Sequence, residues 1–171
     1  DGRITPAALA GLIERCIDVA FNMLEFGWDL EHSGIFYYMD SEGRPPDKLE
    51  WDQKLWWVHA EAMVAMAMAA RLTARESVRE NAWKLLIRLH DYCWSRFADP
   101  QNGEWYGYLN REGEILLRSK GGKWKGCFHV PRGLFRCWRA WEGMARGWGR
   151  CVEHEGAKAA KCAKREDRER R

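Results

Sequence analysis

Residues 49–70 read Leu49-Glu50-Trp51-Asp52-Gln53-Lys54-Leu55-Trp56-Trp57-Val58-His59-Ala60-Glu61-Ala62-Met63-Val64-Ala65-Met66-Ala67-Met68-Ala69-Ala70. The stretch holds no Gly or Pro and is rich in strong helix formers, which predicts one helix. Apolar residues run most of the way round it and polar ones are confined to its first half. That is the profile of an inner helix, since a surface helix carries one apolar stripe and a wide polar face. Glu50, Lys54, Trp57 and Glu61 follow at i, i+4, i+7 and i+11, so they stack along one side. Such a stripe has two readings. In the first, Glu50 and Lys54 form a salt bridge and Glu61 pairs with a basic residue elsewhere. In the second, it is a polar pocket wall with Trp57 as a platform for the C–H face of a sugar.

The elements on either side fit around an inner helix. Pro6 introduces Ala7 to Leu24, an amphipathic helix whose apolar side runs from Leu9 through Ile13, Ile17 and Phe21 to Leu24. A loop from Trp28 to Gly34 leads to a short strand, Ile35 to Met39, closed by Asp40-Ser41-Glu42-Gly43. Arg75 to Phe97 reads as a further helix, broken by Asp99-Pro100-Gln101-Asn102-Gly103. A strand from Glu104 to Leu109 follows, with Glu114 to Arg118 as its returning arm. After the basic, Gly-containing run Ser119 to Gly126, the chain enters a last helix near Leu134 to Met144.

Asp29 to Gly43 and Asp99 to Gly113 share one order: acidic loop, Gly, aromatic strand, polar turn, Gly. Each follows an amphipathic helix and precedes a His-containing one, which gives a period of about 70 residues. The chain is therefore expected to be all-α, built of stacked helical hairpins whose connecting loops carry short β-hairpins. About four helices can be counted. Residues 1–146 form the domain, and residues 147–171, rich in Gly and then in mixed charge, read as a disordered tail.

Composition narrows the function. With 171 residues there is enough chain for one domain with a core. The net charge of +3 comes largely from the last twenty residues, so the body offers no strong electrostatic reason to bind nucleic acid. Eleven tryptophans fit a carbohydrate cleft and fit plain core packing equally. The six cysteines lie far apart without CxxC spacing, which argues against structural zinc and for reduced thiols in a cytoplasmic protein. No apolar run reaches membrane-spanning length and no signal peptide is visible. The chain opens on Asp1 without an initiator Met, so part of the natural protein is expected to be absent.

Several dense motifs, in order, resemble the carboxy-terminal half of the N-acylglucosamine 2-epimerase (renin-binding protein) family. They are Gly34-Ile35-Phe36-Tyr37-Tyr38, Leu49-Glu50-Trp51, Lys54-Leu55-Trp56-Trp57, His59-Ala60-Glu61-Ala62, Gly103-Glu104-Trp105-Tyr106-Gly107-Tyr108-Leu109, Lys120-Gly121-Gly122 and Lys125-Gly126-Cys127-Phe128-His129-Val130-Pro131-Arg132. The likeness covers about residues 25 to 135. It implies a partial (α/α)6 toroid, interconversion of N-acetylglucosamine and N-acetylmannosamine, and ATP as an activator that is not consumed. It implies His129 as a proton-transfer residue and Glu61 as a glutamate needed for activity, with Trp57 and Lys54 as substrate-binding neighbours. The family's second catalytic histidine and an essential arginine precede everything in this chain.

The chemistry suits those residues. Inverting carbon 2 of an open-chain sugar removes a proton next to the carbonyl, and a neutral imidazole transfers such a proton near pH 7. His59 lies two residues from Glu61, about 200° round a helix of 3.6 residues per turn, so it is given a structural role. His32, His90 and His154 are read as surface or packing residues. The expectation is an epimerase-like fragment with little activity alone, acting on an N-acetyl amino sugar, with a homodimer and renin as candidate protein partners. The alternative is a non-catalytic module that binds full-length epimerase or renin through exposed apolar helix faces. Aldose–ketose isomerase and cellobiose 2-epimerase activities on the same toroid rank lower.

Overall fold

The computed structural model describes residues 4–146; the expected tail, Cys151, Cys162 and His154 lie outside them. Four helices carry the described chain. Helix α1 (Pro6–Gly27) is capped by the Thr5 hydroxyl, which accepts from the Ala8 N–H, and has Pro6 in its first turn. Helix α2 (Trp56–Leu72) is the inner one, with Trp56, His59, Ala60, Met63, Met66, Ala67, Ala69 and Ala70 all buried. Helix α3 (Glu76–Arg96) lies along α2, and α4 runs from residue 129 to the last described residue. The core forms where α2, α3 and α4 meet under the loops, around Leu55, Trp56, Met66, Leu86, Leu89, Phe97, Leu109 and Cys137.

The helix expected over residues 49–70 begins only at Trp56. Residues 49–55 are drawn into loop pairing instead: Tyr37 N–H donates to Gln53 O, and Tyr38 N–H to Trp51 O. The two-residue strand β1 (Lys54–Leu55) pairs antiparallel with β2 (Tyr108–Leu109), Lys54 opposite Leu109. Trp56 N–H then donates to Gly107 O. These partners lie far off in the sequence, and they outweigh local helix propensity. Lys54 is therefore not on the helical side that carries Trp57 and Glu61.

The strands expected at Ile35–Met39 and Glu104–Leu109 shrink to the bridges Trp28–Ile35 and Ala98–Trp105 plus β2 itself. The last helix starts five residues earlier than its sequence signal at Leu134. Among the described residues, no helix is long and apolar enough to cross a membrane.

The internal repeat holds at an offset of 70 in several of its loop hydrogen bonds. Asp29 N–H donates to Gly34 O and Asp99 N–H to Glu104 O; Phe36 N–H donates to Gly27 O and Tyr106 N–H to Phe97 O. Each aspartate also accepts two further backbone N–H groups, from Glu31 and His32 or from Gln101 and Asn102. Positive φ falls at Ser33 and Gly34 in one loop and at Gly103 and Glu104 in the other. Both loops then turn at a glycine with positive φ, Gly43 or Gly113.

Candidate active site

His129 is the first residue of α4, and Glu61 lies in the second turn of α2. The two helices pack closely there: a Cβ on Gly133 of α4 would lie 3.5 Å from Ala60 of α2, in van der Waals contact. Glu61 Oε1 sits 2.8 Å from His129 Nδ1 and also accepts from the Arg132 guanidinium. Arg132 follows His129 by three residues, so both side chains reach the same carboxylate from one face of α4. All three are about one-third exposed, so the cluster opens to solvent.

Partial burial works against a charge on Glu61, yet the hydrogen bonds from Arg132 and His129 outweigh it and hold the carboxyl below its ordinary range. The carboxylate in turn holds the Arg132 guanidinium above its usual value. An ionised carboxylate only accepts, so His129 Nδ1 donates to it in either protonation state of the ring. In the neutral ring this leaves the lone pair on Nε2, the arrangement of a general base. Deeper in, burial and the charge of Glu61 push the Cys137 thiol up to about 11, which keeps it an inert thiol.

Aromatic rings frame the imidazole. Trp57 lies one turn before Glu61, with its ring centroid 6.0 Å from that of His129. Trp56 and Phe128 each meet the His129 ring edge-on, with centroids 6.4 Å and 5.0 Å away. Tyr37 braces Trp57 edge-on at 6.4 Å, and the Arg132 guanidinium lies 5.2 Å over the Phe128 ring. The structure thus brings His129, Glu61 and Trp57 together and adds Arg132, which sequence reading passed over.

Lys54 is elsewhere. It is fully buried, with Nζ 2.9 Å from Asp29 Oδ2 and 3.9 Å over the Phe36 ring. Its partner is Asp29 and neither Glu50 nor a solvent-facing wall. Burial opposes the charge of Asp29, but Arg111, Lys54 and two backbone N–H groups hold it ionised well below the usual carboxylate range. His59 also sits apart from the cluster: Nδ1 lies 2.7 Å from Leu55 O and Nε2 accepts from Ile35 N–H at 2.9 Å. Both nitrogens are used, so the ring is a neutral structural clip. His32 lies beside Glu31, and His90 stacks on Trp94.

A family model described as N-acylglucosamine 2-epimerase (GlcNAc 2-epimerase) matches residues 7–131. The chain is 47% identical to an N-acylglucosamine 2-epimerase of Bos taurus over 119 residues, covering 68% of this chain and 27% of that protein. It is 46% identical to the Rattus norvegicus enzyme over 127 residues, covering 73% and 29% respectively. The chain thus spans under a third of the length of these relatives. Its fold is similar to that of a cellobiose 2-epimerase from Spirochaeta thermophila, with a TM-score of 0.63 at 20% identity, covering 84% of this chain and 33% of that one. The helical hairpins described above are accordingly part of an (α/α)6 toroid.

Proposed function

Because the chain belongs to the N-acylglucosamine 2-epimerase family, we propose that His129, Glu61 and Arg132 move a proton at carbon 2 of an N-acetyl amino sugar. The observation that carries this reading is the Nδ1 contact between His129 and Glu61, because it fixes the tautomer that leaves Nε2 bare. In the open-chain sugar, Nε2 takes the proton from carbon 2, and the C–H electron pair forms a carbon 1–carbon 2 double bond while the carbonyl π pair moves onto its oxygen, giving an enolate that still carries the acetamido group. Return of a proton to the opposite face then interconverts N-acetylglucosamine and N-acetylmannosamine. Trp57 is the platform for the sugar's apolar face. Lys54, enclosed by Asp29 and Phe36, is left out of this role.

A single imidazole serves one face, and the return step needs a second proton donor. The 171-residue chain alone is therefore expected to have little activity. ATP as activator is carried over from the family resemblance, with no residue assigned to it. Partners other than the sugar, renin and full-length epimerase among them, belong to the second reading, an interaction module. That reading is favoured by the exposed apolar faces of α1 and α4.

Two measurements test the proposal. In heavy water, the isolated chain should incorporate deuterium at carbon 2 of N-acetylmannosamine slowly or not at all; robust incorporation defeats the expectation of low activity. Titrating N-acetylmannosamine, N-acetylglucosamine, mannose and cellobiose against the imidazole NMR resonances of His129 tests the substrate class. The N-acetyl sugars should move those resonances most, and no response to either of them removes the assignment.

A further inference from the structure

His59 and His129 stand 70 residues apart, so by count they hold the same place in the internal repeat. Their rings do different things. His59 is fully buried, with Nδ1 lying 2.7 Å from Leu55 O and Nε2 accepting from Ile35 N–H at 2.9 Å. His129 instead turns its Nδ1 to Glu61. A histidine can leave that structural place only when the backbone groups that hold it there have other partners, because a buried N–H or C=O left unpaired is costly.

In the second repeat both groups have such partners. The carbonyl matching Leu55 O is Lys125 O, which accepts from Gly122 N–H at 3.0 Å. The amide matching that of Ile35 belongs to Trp105, and it donates to Glu104 Oε1 at 2.6 Å. Glu104 stands where the first repeat has Gly34, and its φ of +62° keeps the left-handed backbone that Gly34 adopts at +79°. A glutamate is disfavoured there relative to a glycine, so what it brings to the position is its carboxylate. Its other oxygen, Oε2, lies 3.0 Å from Lys125 Nζ. Lys125 is 2% exposed, donates also to Lys120 O, and stands where the first repeat has Leu55. Its stem runs over Gly107, where a Cβ would fall 2.8 Å from Lys125 Cδ; the first repeat has Tyr37 at that position. Glu104, Lys125 and Gly107 thus replace Gly34, Leu55 and Tyr37 as one interlocking set.

We propose that Glu104 is a positioning residue for His129: anchored by Lys125, it takes the Trp105 N–H that a histidine would take in the first repeat's arrangement, and so releases the imidazole to meet Glu61. The inference rests on the reaction proposed above, in which His129 is the base. It gives the repeated histidine two separate duties, holding a loop in the first repeat and moving a proton in the second. Neutralising Lys125 would by itself require a carboxylate, but it would not require Oε1 on the Trp105 N–H.

Scalar coupling between nitrogens across N–H···N hydrogen bonds, read by NMR in the 15N-labelled chain, tests this. In the wild type the Ile35 amide should couple to His59 Nε2, which calibrates the measurement, and the Trp105 amide should couple to no imidazole. Glu104→Gly with Lys125→Leu restores the first repeat's residues without leaving a buried charge alone. In that variant the Trp105 amide should couple to His129 Nε2. Glu104→Gln keeps an oxygen acceptor for the Trp105 N–H while removing the charge, and it should leave the His129 15N shifts at their wild-type values. Helical circular dichroism matching the wild type verifies folding; if the paired variant loses it, Glu104→Gly alone takes its place. Coupling of the Trp105 amide to His129 in the wild type overturns the proposal. So does a folded glycine variant in which Trp105 gains no imidazole coupling, or a Gln variant with displaced His129 shifts. None of these measurements contains a sugar, so they can fail while the proposed reaction stands, and the sugar titration above decides that reaction separately.

Discussion

Glu61 stands between an imidazole and a guanidinium, and it decides what the imidazole can do. Replacing it by Gln keeps the shape but removes the charge that makes Nδ1 the obligatory donor, because an amide both donates and accepts. In Glu61→Gln, the imidazole 15N shifts of His129 should move from a single Nδ1–H form towards a mixture of tautomers. Unchanged shifts would mean that Glu61 does not set the tautomer. A second residue-scale expectation concerns Gly34, whose φ is +79° and whose added Cβ would fall 2.5 Å from the Tyr92 ring. Gly34→Ala should lower stability by about 2–4 kcal/mol, measured by urea unfolding. The sequence pointed to His129 and Glu61, which the fold brings into contact, and gave no role to Arg132, which meets the same carboxylate. The last helix reads as lying near Leu134 to Met144, whereas the chain starts it at residue 129 with Pro131 in the first turn, where the missing N–H costs nothing. Only with a helix running from residue 129 does the i, i+3 spacing of His129 and Arg132 become visible.

The repeated loops carry the argument at the scale of elements. Each places an aspartate at its start, lets it hold its own turn, and ties it to a lysine from a later segment: Lys54 to Asp29 and Lys120 to Asp99. The same lysines lie over the matching aromatic rings, Phe36 at 3.9 Å and Tyr106 at 5.3 Å. Their surroundings differ, since Lys54 is fully buried and Lys120 is about one-fifth exposed. Removing one partner of a buried pair leaves an uncompensated charge, although Arg111 still reaches Asp29 here. Lys54→Met should therefore cost about 2–3 kcal/mol and Lys120→Met about 1 kcal/mol. Equal losses in chemical denaturation would contradict the difference in burial. The acidic loop, glycine, aromatic run and polar turn of both copies could be read directly from residues 29–43 and 99–113. The start of α2 could not, because Gln53, Lys54 and Leu55 take partners from residues 37, 108 and 109, and nothing local announces that.

For the molecule as a whole, the buried His59 makes stability depend on pH well above the carboxylate range. Its ring is neutral, joins α2 to the first loop through the Ile35 N–H, and has its pKa lowered from 6.5 to about 4 by burial, with the charge of Lys54 adding to the effect. The unfolded chain takes a proton on this histidine as pH falls through about 6.5, and the folded chain refuses it until about 4. Stability should therefore decline across that window, by about 3 kcal/mol in all, and this contribution is exhausted below it. The carboxyls act later. Asp29 and Glu61 are both held below their ordinary values, so the stability they confer is present above the usual carboxylate range and is lost as pH falls further. Urea midpoints measured between about pH 7 and pH 5 should fall in the wild type and fall less in His59→Gln, which has no proton to gain. Exchange of the Ile35 amide should accelerate over the same range, since protonated Nε2 can no longer accept its hydrogen bond. A midpoint that stays level from about pH 7 to pH 5 would show that this imidazole is not held neutral by the fold.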